Sequence, residues 1–218
     1  MRAPVIAEVN GTVAGAGLGL MAAADFAIAS EKAKFTSAYT KIGLTPDGST
    51  TWFLPRLIGH RRAKELFLLN RLLSAEEAMA WGLVNRVVAP ADLSPAVAQV
   101  AEQLASGPTH AFASVKRLLI LSDGASLEQQ MKHESASIVR MSGSRDGLAG
   151  VKAFKDKVEP SFVGSQAHRN DRGHAHYQLI QIARSRDTVP GSPGWEATHI
   201  IVLSGPHKLC VSSWLLRR

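Results

Sequence analysis

The chain reads as an α/β fold that gives way to an all-helical segment. Three observations predict it. Val5-Ile6-Ala7-Glu8-Val9 and Asp25-Phe26-Ala27-Ile28-Ala29-Ser30 are apolar runs of strand length flanking a small-residue stretch of helical character. A further strand-like run, Leu83-Val84-Asn85-Arg86-Val87-Val88, follows two more helical patterns, and from Asp92 onward the apolar period is helical. Strand, helix, strand is the order of sheets with helices packed against them. With 45% apolar and 20% charged residues, the 218-residue chain carries enough apolar surface for a sizeable core.

The first strand stops at Asn10-Gly11, a pair that tolerates positive φ and suits a tight turn. Gly15-Ala16-Gly17-Leu18-Gly19-Leu20-Met21-Ala22-Ala23-Ala24 predicts a short buried helix whose glycines let backbone pack on backbone. After the second strand, Lys34-Phe35 begins another extended piece. Residues 36–59 hold Gly43, Pro46, Gly48, Pro55 and Gly59 and are expected to be largely loop with a short helical turn. Arg61 to Leu69 reads as a helix. Ser74-Ala75-Glu76-Glu77 has the spacing of a capping box, in which Ser74 caps an amide near Glu77 and Glu77 returns the bond; Gly82 closes that helix. Further helices are expected at about 92–105, 109–121, 126–142 and 146–157, broken at Gly107-Pro108, Gly124 and Gly143. The remainder is turn-rich, Pro190-Gly191-Ser192-Pro193-Gly194, with one strand-like run, Ile200-Ile201-Val202-Leu203. There is no 20–50-residue repeat.

Charge is unevenly spread. Of the 25 Lys and Arg and 18 Asp and Glu that give a net +7, residues 1–164 hold 18 and 15, and residues 165–218 hold 7 and 3. The last quarter thus carries more than half the surplus, with five of the eight histidines, and the composition shifts near Gly164. Three parts follow: an α/β core over 1–88, a helical segment over 89–163 and a basic tail over 164–218. The tail reads first as an extension that contributes little to function, and RNA binding through its basic charge ranks below that. Glu8, Asn10, Asp25 and Glu31 interrupt the apolar stretches, so no 18-residue membrane-spanning run exists and a secretory h-region is broken. Cys210 is the only cysteine, which leaves no partner for an intramolecular disulfide; a cytoplasmic location is expected.

Few residues present chemistry unaided. Gly15-Ala16-Gly17-Leu18-Gly19 fails the dinucleotide spacing, which requires glycine where Leu20 stands. The amides of residues 16 and 17 open a helix and have no acceptor within it, so they suit an anion or, equally, close packing. Thr45-Pro46-Asp47-Gly48 holds a carboxylate on a rigid turn, the position of an Asx-turn residue or of a catalytic group. His60-Arg61-Arg62-Ala63-Lys64 reads as a solvated helix face. His110 and His133 lack partners at ligand spacing, and the histidines of the tail are unpatterned, so no metal site is expected.

Taken together, Pro4-Val-Ile-Ala-Glu-Val-Asn-Gly11, Gly15-Ala-Gly17, Asp25-Phe-Ala-Ile-Ala-Ser-Glu-Lys-Ala-Lys-Phe35, Ile42-Gly-Leu-Thr-Pro46, Leu54-Pro-Arg-Leu-Ile-Gly59, Ser74-Ala-Glu-Glu-Ala78 and Trp81-Gly-Leu-Val-Asn-Arg-Val-Val88 resemble the enoyl-CoA hydratase/isomerase (crotonase) family. The resemblance runs over about residues 3–163 and ends in Gly147-Leu-Ala-Gly-Val-Lys-Ala-Phe154. It implies the second half of the ClpP/crotonase spiral of ββα units, followed by C-terminal helices that build a homotrimer or a hexamer. It also implies that family members begin earlier, in a segment that supplies the first strands and the other oxyanion amide.

The chemistry it implies is polarisation of an acyl-CoA thioester carbonyl by two backbone amides while carboxylates move protons, coenzyme A being part of the substrate and no other cofactor being needed. The Ala16 N–H takes the place of one oxyanion donor. The two carboxylates of hydratases would fall at Gly19 and Tyr39, and neither is present, which argues against plain hydration. Asp47 falls where isomerases and the dehalogenating branch carry their working carboxylate, and isomerase-type proton shuttling is the reaction it suits best. Phe154 and Lys157 match positions that reach the CoA nucleotide of a neighbouring subunit. The alternative is a catalytically impaired fragment that only assembles with relatives or binds acyl-CoA weakly.

Overall fold

A parallel strand covered on both faces must be apolar along its whole length, and Val5–Val9 (β1) is buried at every position. Its one charged residue, Glu8, stays inside because its carboxylate accepts a 2.5 Å hydrogen bond from the Ser94 hydroxyl. These details come from a computed structural model that describes residues 3–164 and the backbone of two further strands, Tyr177–Gln181 and His199–Leu203.

Thr12–Ala14 (β2), Ala16–Ala22 (α1), Phe26–Ser30 (β3) and Lys34–Thr36 (β4) follow β1 in order. β1 pairs with β3 in parallel, Ile6 opposite Phe26, and β2 pairs with β4 in parallel, Val13 opposite Phe35. Each turn of chain therefore lays one strand in each of two sheets and returns through a helix, which is a spiral of ββα units. Leu73–Ser74 (β5) joins β4, and Arg86–Val88 (β6) joins β3 after the capped helix Ala75–Trp81 (α3). Side chains extend the ladder: Val5 N–H donates to Asp25 Oδ2 at 2.7 Å, and Ala27 N–H donates to Asn85 Oδ1 at 2.7 Å. Tyr177–Gln181 (β7) and His199–Leu203 (β8) enter the same sheet as β1, with β8 antiparallel to it. The expected strand at 200–203 thus forms; the rest of the tail lies outside the described residues.

The stretch 36–59 departs from expectation. Only its first part is loop, with a 3-10 turn at Thr40–Ile42; a helix, Thr50–Leu69 (α2), then runs through Pro55 and kinks at Gly59, where φ is 79° and ψ 155°. Burial overrides the breakers: Thr50, Leu54 and Ile58 recur at every fourth position and all face the core. As the sixth residue of α2, Pro55 forgoes the one amide bond its missing N–H would have made within the helix, and Gly59 takes up the change of direction. The core of this unit centres on Val9, Leu18, Phe35, Leu54, Leu66 and Leu73, each fully buried.

Residues 3–164 form two units, an α/β unit over 5–101 and a helical unit over 102–164 together with Ala3 and Pro4. Leu93–Ala105 (α4) buries Leu93, Ala96, Val97 and Ala101. In the helical unit, Thr109–Ser122 (α5), Leu127–Ser142 (α6) and Arg145–Asp156 (α7) match the expected helices to within a residue or two. Ser126 and Gln129 form a second capping box, and Ser144 caps α7 by accepting from Gly147 N–H at 3.0 Å. The buried carboxylate of Asp146 accepts from Val163 N–H at 2.9 Å and Gly164 N–H at 3.1 Å, tying the following chain to α7. Among the described residues, no helix is long and apolar enough to cross a membrane. No three His, Cys, Asp or Glu among them are grouped to hold a metal.

Candidate active site

The helix α1 begins at Gly15, whose φ of 57° and ψ of −133° suit glycine alone. Leu18 N–H makes the first turn's bond to Gly15 O at 3.0 Å, so the Ala16 and Gly17 amides precede any acceptor inside the helix. Both residues are exposed. The start of α1 thus presents two open backbone donors at the surface of the α/β unit.

The carboxylate comes from the turn after the 3-10 segment. Asp47 O accepts Thr50 N–H at 3.1 Å and the Thr50 hydroxyl at 2.8 Å, closing a four-residue turn. Its two central residues, Gly48 and Ser49, have φ of 57° and 60°, the signature of a type I′ turn, which serine adopts only at a cost. With Ala38, also at positive φ, strained backbone brackets the segment from Tyr39 to Ser49.

Two glycines bring the turn and the helix together. A Cβ on Gly48 would lie 3.2 Å from Ala16 Cα, so the Asp47-Gly48 backbone rests directly on the first turn of α1. A Cβ on Gly19 would come within 3.0 Å of the Gly48 carbonyl carbon and 2.9 Å of Thr50 Cγ2, and closer still to the Gly48 oxygen. Position 19, where the family resemblance placed a carboxylate, is therefore closed to any side chain. The space is filled by the backbone that carries Asp47.

Position 39, where the resemblance placed the other carboxylate, holds a partner for Asp47 instead. Tyr39 is buried and its hydroxyl donates to Asp47 Oδ1 at 2.5 Å. Burial first, then the Asp47 carboxylate bond, push the phenol up to about 12, with the Asp47 charge adding to them; the Asp47 amide and the Thr50 hydroxyl pull the other way. Tyr39 is thus a committed donor near neutral pH. This pairing is the functional feature that sequence reading missed, since position 39 registered there only as a missing acid.

Of the residues singled out from the sequence, Ala16 and Asp47 come together and are both exposed. Ile42 and Leu44, 71% and 57% exposed, precede Asp47, and Trp52 follows it, stacked under Arg56. Phe154 and Lys157 belong to the helical unit, where Phe154 is 85% exposed and Lys157, with φ 55°, closes α7. The basic run at 60–64 is exposed except for Ala63, and its Arg62 reaches the Trp81 carbonyl and ring. That is a structural use of the run.

Residues 1–165 match the family model described as enoyl-CoA hydratase/isomerase. The 1,2-epoxyphenylacetyl-CoA isomerase of Escherichia coli is 41% identical over 162 residues, covering 74% of this chain and 62% of that protein. The 4-chlorobenzoyl coenzyme A dehalogenase-1 of an Arthrobacter species is 38% identical over 154 residues, covering 71% and 56%. Among solved structures, the enoyl-CoA hydratase of Bacillus anthracis superposes with a TM-score of 0.71 at 35% identity, covering 75% of this chain and 64% of that one. The chain spans roughly three fifths of the length of these relatives.

Proposed function

The chain belongs to the enoyl-CoA hydratase/isomerase family, and we propose from its site that it serves an enzyme that moves a proton within an unsaturated acyl-CoA thioester. Asp47 takes a proton from one carbon of the allylic system. Charge then develops on the thioester oxygen, which the Ala16 N–H receives. Asp47 returns the same proton at the other end, so no water is consumed and no second acid is needed. The carrying observation is that the turn bearing the one carboxylate rests on the first turn of α1, while position 19 has no room for a second and position 39 supplies a tyrosine.

Coenzyme A enters as part of the substrate, and the proton transfer calls for no further cofactor. The exposed apolar residues Ile42, Leu44 and Trp52 near Asp47 in sequence suit an acyl chain better than a polar one. The helical unit exposes Leu119, Ile120, Ile138, Val139 and Phe154, a set whose burial in a homotrimer or hexamer we propose, with Phe154 and Lys157 facing the CoA of a neighbouring subunit. The lone cysteine suits a cytoplasmic setting.

The test is to incubate the purified chain with unsaturated acyl-CoA thioesters differing only in double-bond position. Conjugated-thioester absorbance is followed together with product mass. Isomerisation leaves the mass unchanged, hydration adds one water, and a chain that turns over none of them while binding acyl-CoA is the impaired fragment. Only the first outcome fits the proposal.

A further inference from the structure

We infer that Tyr39 is a positioning residue for Asp47: its buried hydroxyl fixes the carboxylate through Oδ1 and leaves Oδ2 as the oxygen that exchanges the proton. The inference rests on the Asp47 reading above.

Three observations carry it. The 2.5 Å hydrogen bond links a buried donor to the carboxylate of an exposed residue, so one oxygen, Oδ1, is engaged by the phenol. The phenol is itself held in place. A Cβ on Gly15 would lie 3.8 Å from both Tyr39 Cζ and Oη, so the ring packs against the turn that opens α1. Thr50, buried at the start of α2, closes the Asp47 turn and borders the same hydroxyl. Tyr39 therefore stands between the two halves of the site, the amide-bearing turn at Gly15-Ala16 and the carboxylate-bearing turn at Asp47-Gly48. A phenol in that position sets the carboxylate's rotamer relative to the amides. Carboxylate misplacement of about an ångström is enough to cost on the order of 100-fold in turnover.

The titratable groups involved are Asp47 and Tyr39 themselves, and the chain's other tyrosine is Tyr177. The test compares the full chain with Tyr39→Phe and Asp47→Asn, using two readouts. In turnover of an unsaturated acyl-CoA, Tyr39→Phe lowers kcat about 10- to 100-fold with KM little changed. In a Tyr177→Phe background, phenolate absorbance follows Tyr39 alone. There Asp47→Asn moves its ionisation to lower pH, because a neutral amide no longer opposes a phenolate.

If Asp47→Asn turns over as fast as the parent, the proton-shuttle reading fails. If Asp47→Asn is inactive while Tyr39→Phe keeps the parental kcat, only the positioning role fails. Should Tyr39 ionise at the same pH with and without the Asp47→Asn substitution, the hydrogen bond is not formed in solution and the inference is overturned, whatever the activity.

Discussion

Gly17 and Gly19 sit two residues apart in α1, and methylating them should have opposite effects. A Cβ on Gly17 meets only Val13 Cγ1 at 3.8 Å, an ordinary contact. Gly17 also lacks the positive φ that would strain an alanine. Gly17→Ala should therefore stabilise the chain by about 0.5–1 kcal/mol through helix propensity and a stiffer unfolded chain. At Gly19 the same methyl group lands 2.9 Å from Thr50 Cγ2 and 3.0 Å from the Gly48 carbonyl carbon, with the Gly48 oxygen nearer still. Because the obstacle is mainly backbone, no side-chain rotation relieves it. Either the Asp47-Gly48 turn or α1 must shift by on the order of 1 Å, and overpacking of that kind costs about 1–3 kcal/mol. Setting the propensity gain against this cost, Gly19→Ala should lose about 1–2 kcal/mol. Urea unfolding followed by circular dichroism, with equal slopes required in all three proteins, measures both changes. Moving the turn also shifts Asp47 relative to the first turn of α1, so turnover should fall about 100-fold in Gly19→Ala. If Gly19→Ala proves as stable as Gly17→Ala, the turn does not lie on α1 and the geometry assigned to the site is wrong.

Three further outcomes follow from contacts elsewhere in the chain. Ser74→Ala removes the acceptor for Glu77 N–H and half of a reciprocal cap, and should cost about 1 kcal/mol in the same unfolding assay. Asp146→Ala leaves the Val163 and Gly164 amides without their buried acceptor; it should cost about 2–3 kcal/mol and speed tryptic cleavage after Lys155 and Lys157, as read by mass spectrometry. The Tyr39 phenol is raised from 10.0 to about 12 in the folded chain, so its contribution is complete below pH 10 and is lost as pH rises toward 12. The parent's unfolding midpoint should consequently drop more steeply over that window than that of Tyr39→Phe, and parallel slopes would contradict the assignment.

Much of this architecture was readable because local and tertiary demands agree. β1, β3 and the helices from α4 to α7 follow from apolar period and glycine or proline breaks, and the Ser74 capping box follows from four consecutive residues. The elements that were not legible depend on distant partners. β2 and β5 are three and two residues long, and each exists because β4 lies beside it. The first half of α2 was hidden by Pro55 and Gly59, whose turn character loses to the burial of Leu54 and Ile58. At the site, Ala16 and Asp47 were nameable from resemblance, but their reason for meeting was not. It lies in the missing side chains of Gly19 and Gly48, which allow one backbone to rest on another. Tyr39 escaped notice because a tyrosine in a loop gives no sign that it is buried under a carboxylate eight residues on. Asp146 likewise reads as a helix-start acid until its two amide donors are seen.

The claim that one carboxylate moves the proton is tested most directly by turnover of a single unsaturated acyl-CoA in deuterated water by the full chain and by Asp47→Asn. The account predicts interconversion of double-bond positions by the parent and a loss of about 100- to 10,000-fold in the variant, with no water added to the product. Equal rates in the two proteins, or a hydrated product formed at the parental rate by Asp47→Asn, would contradict it.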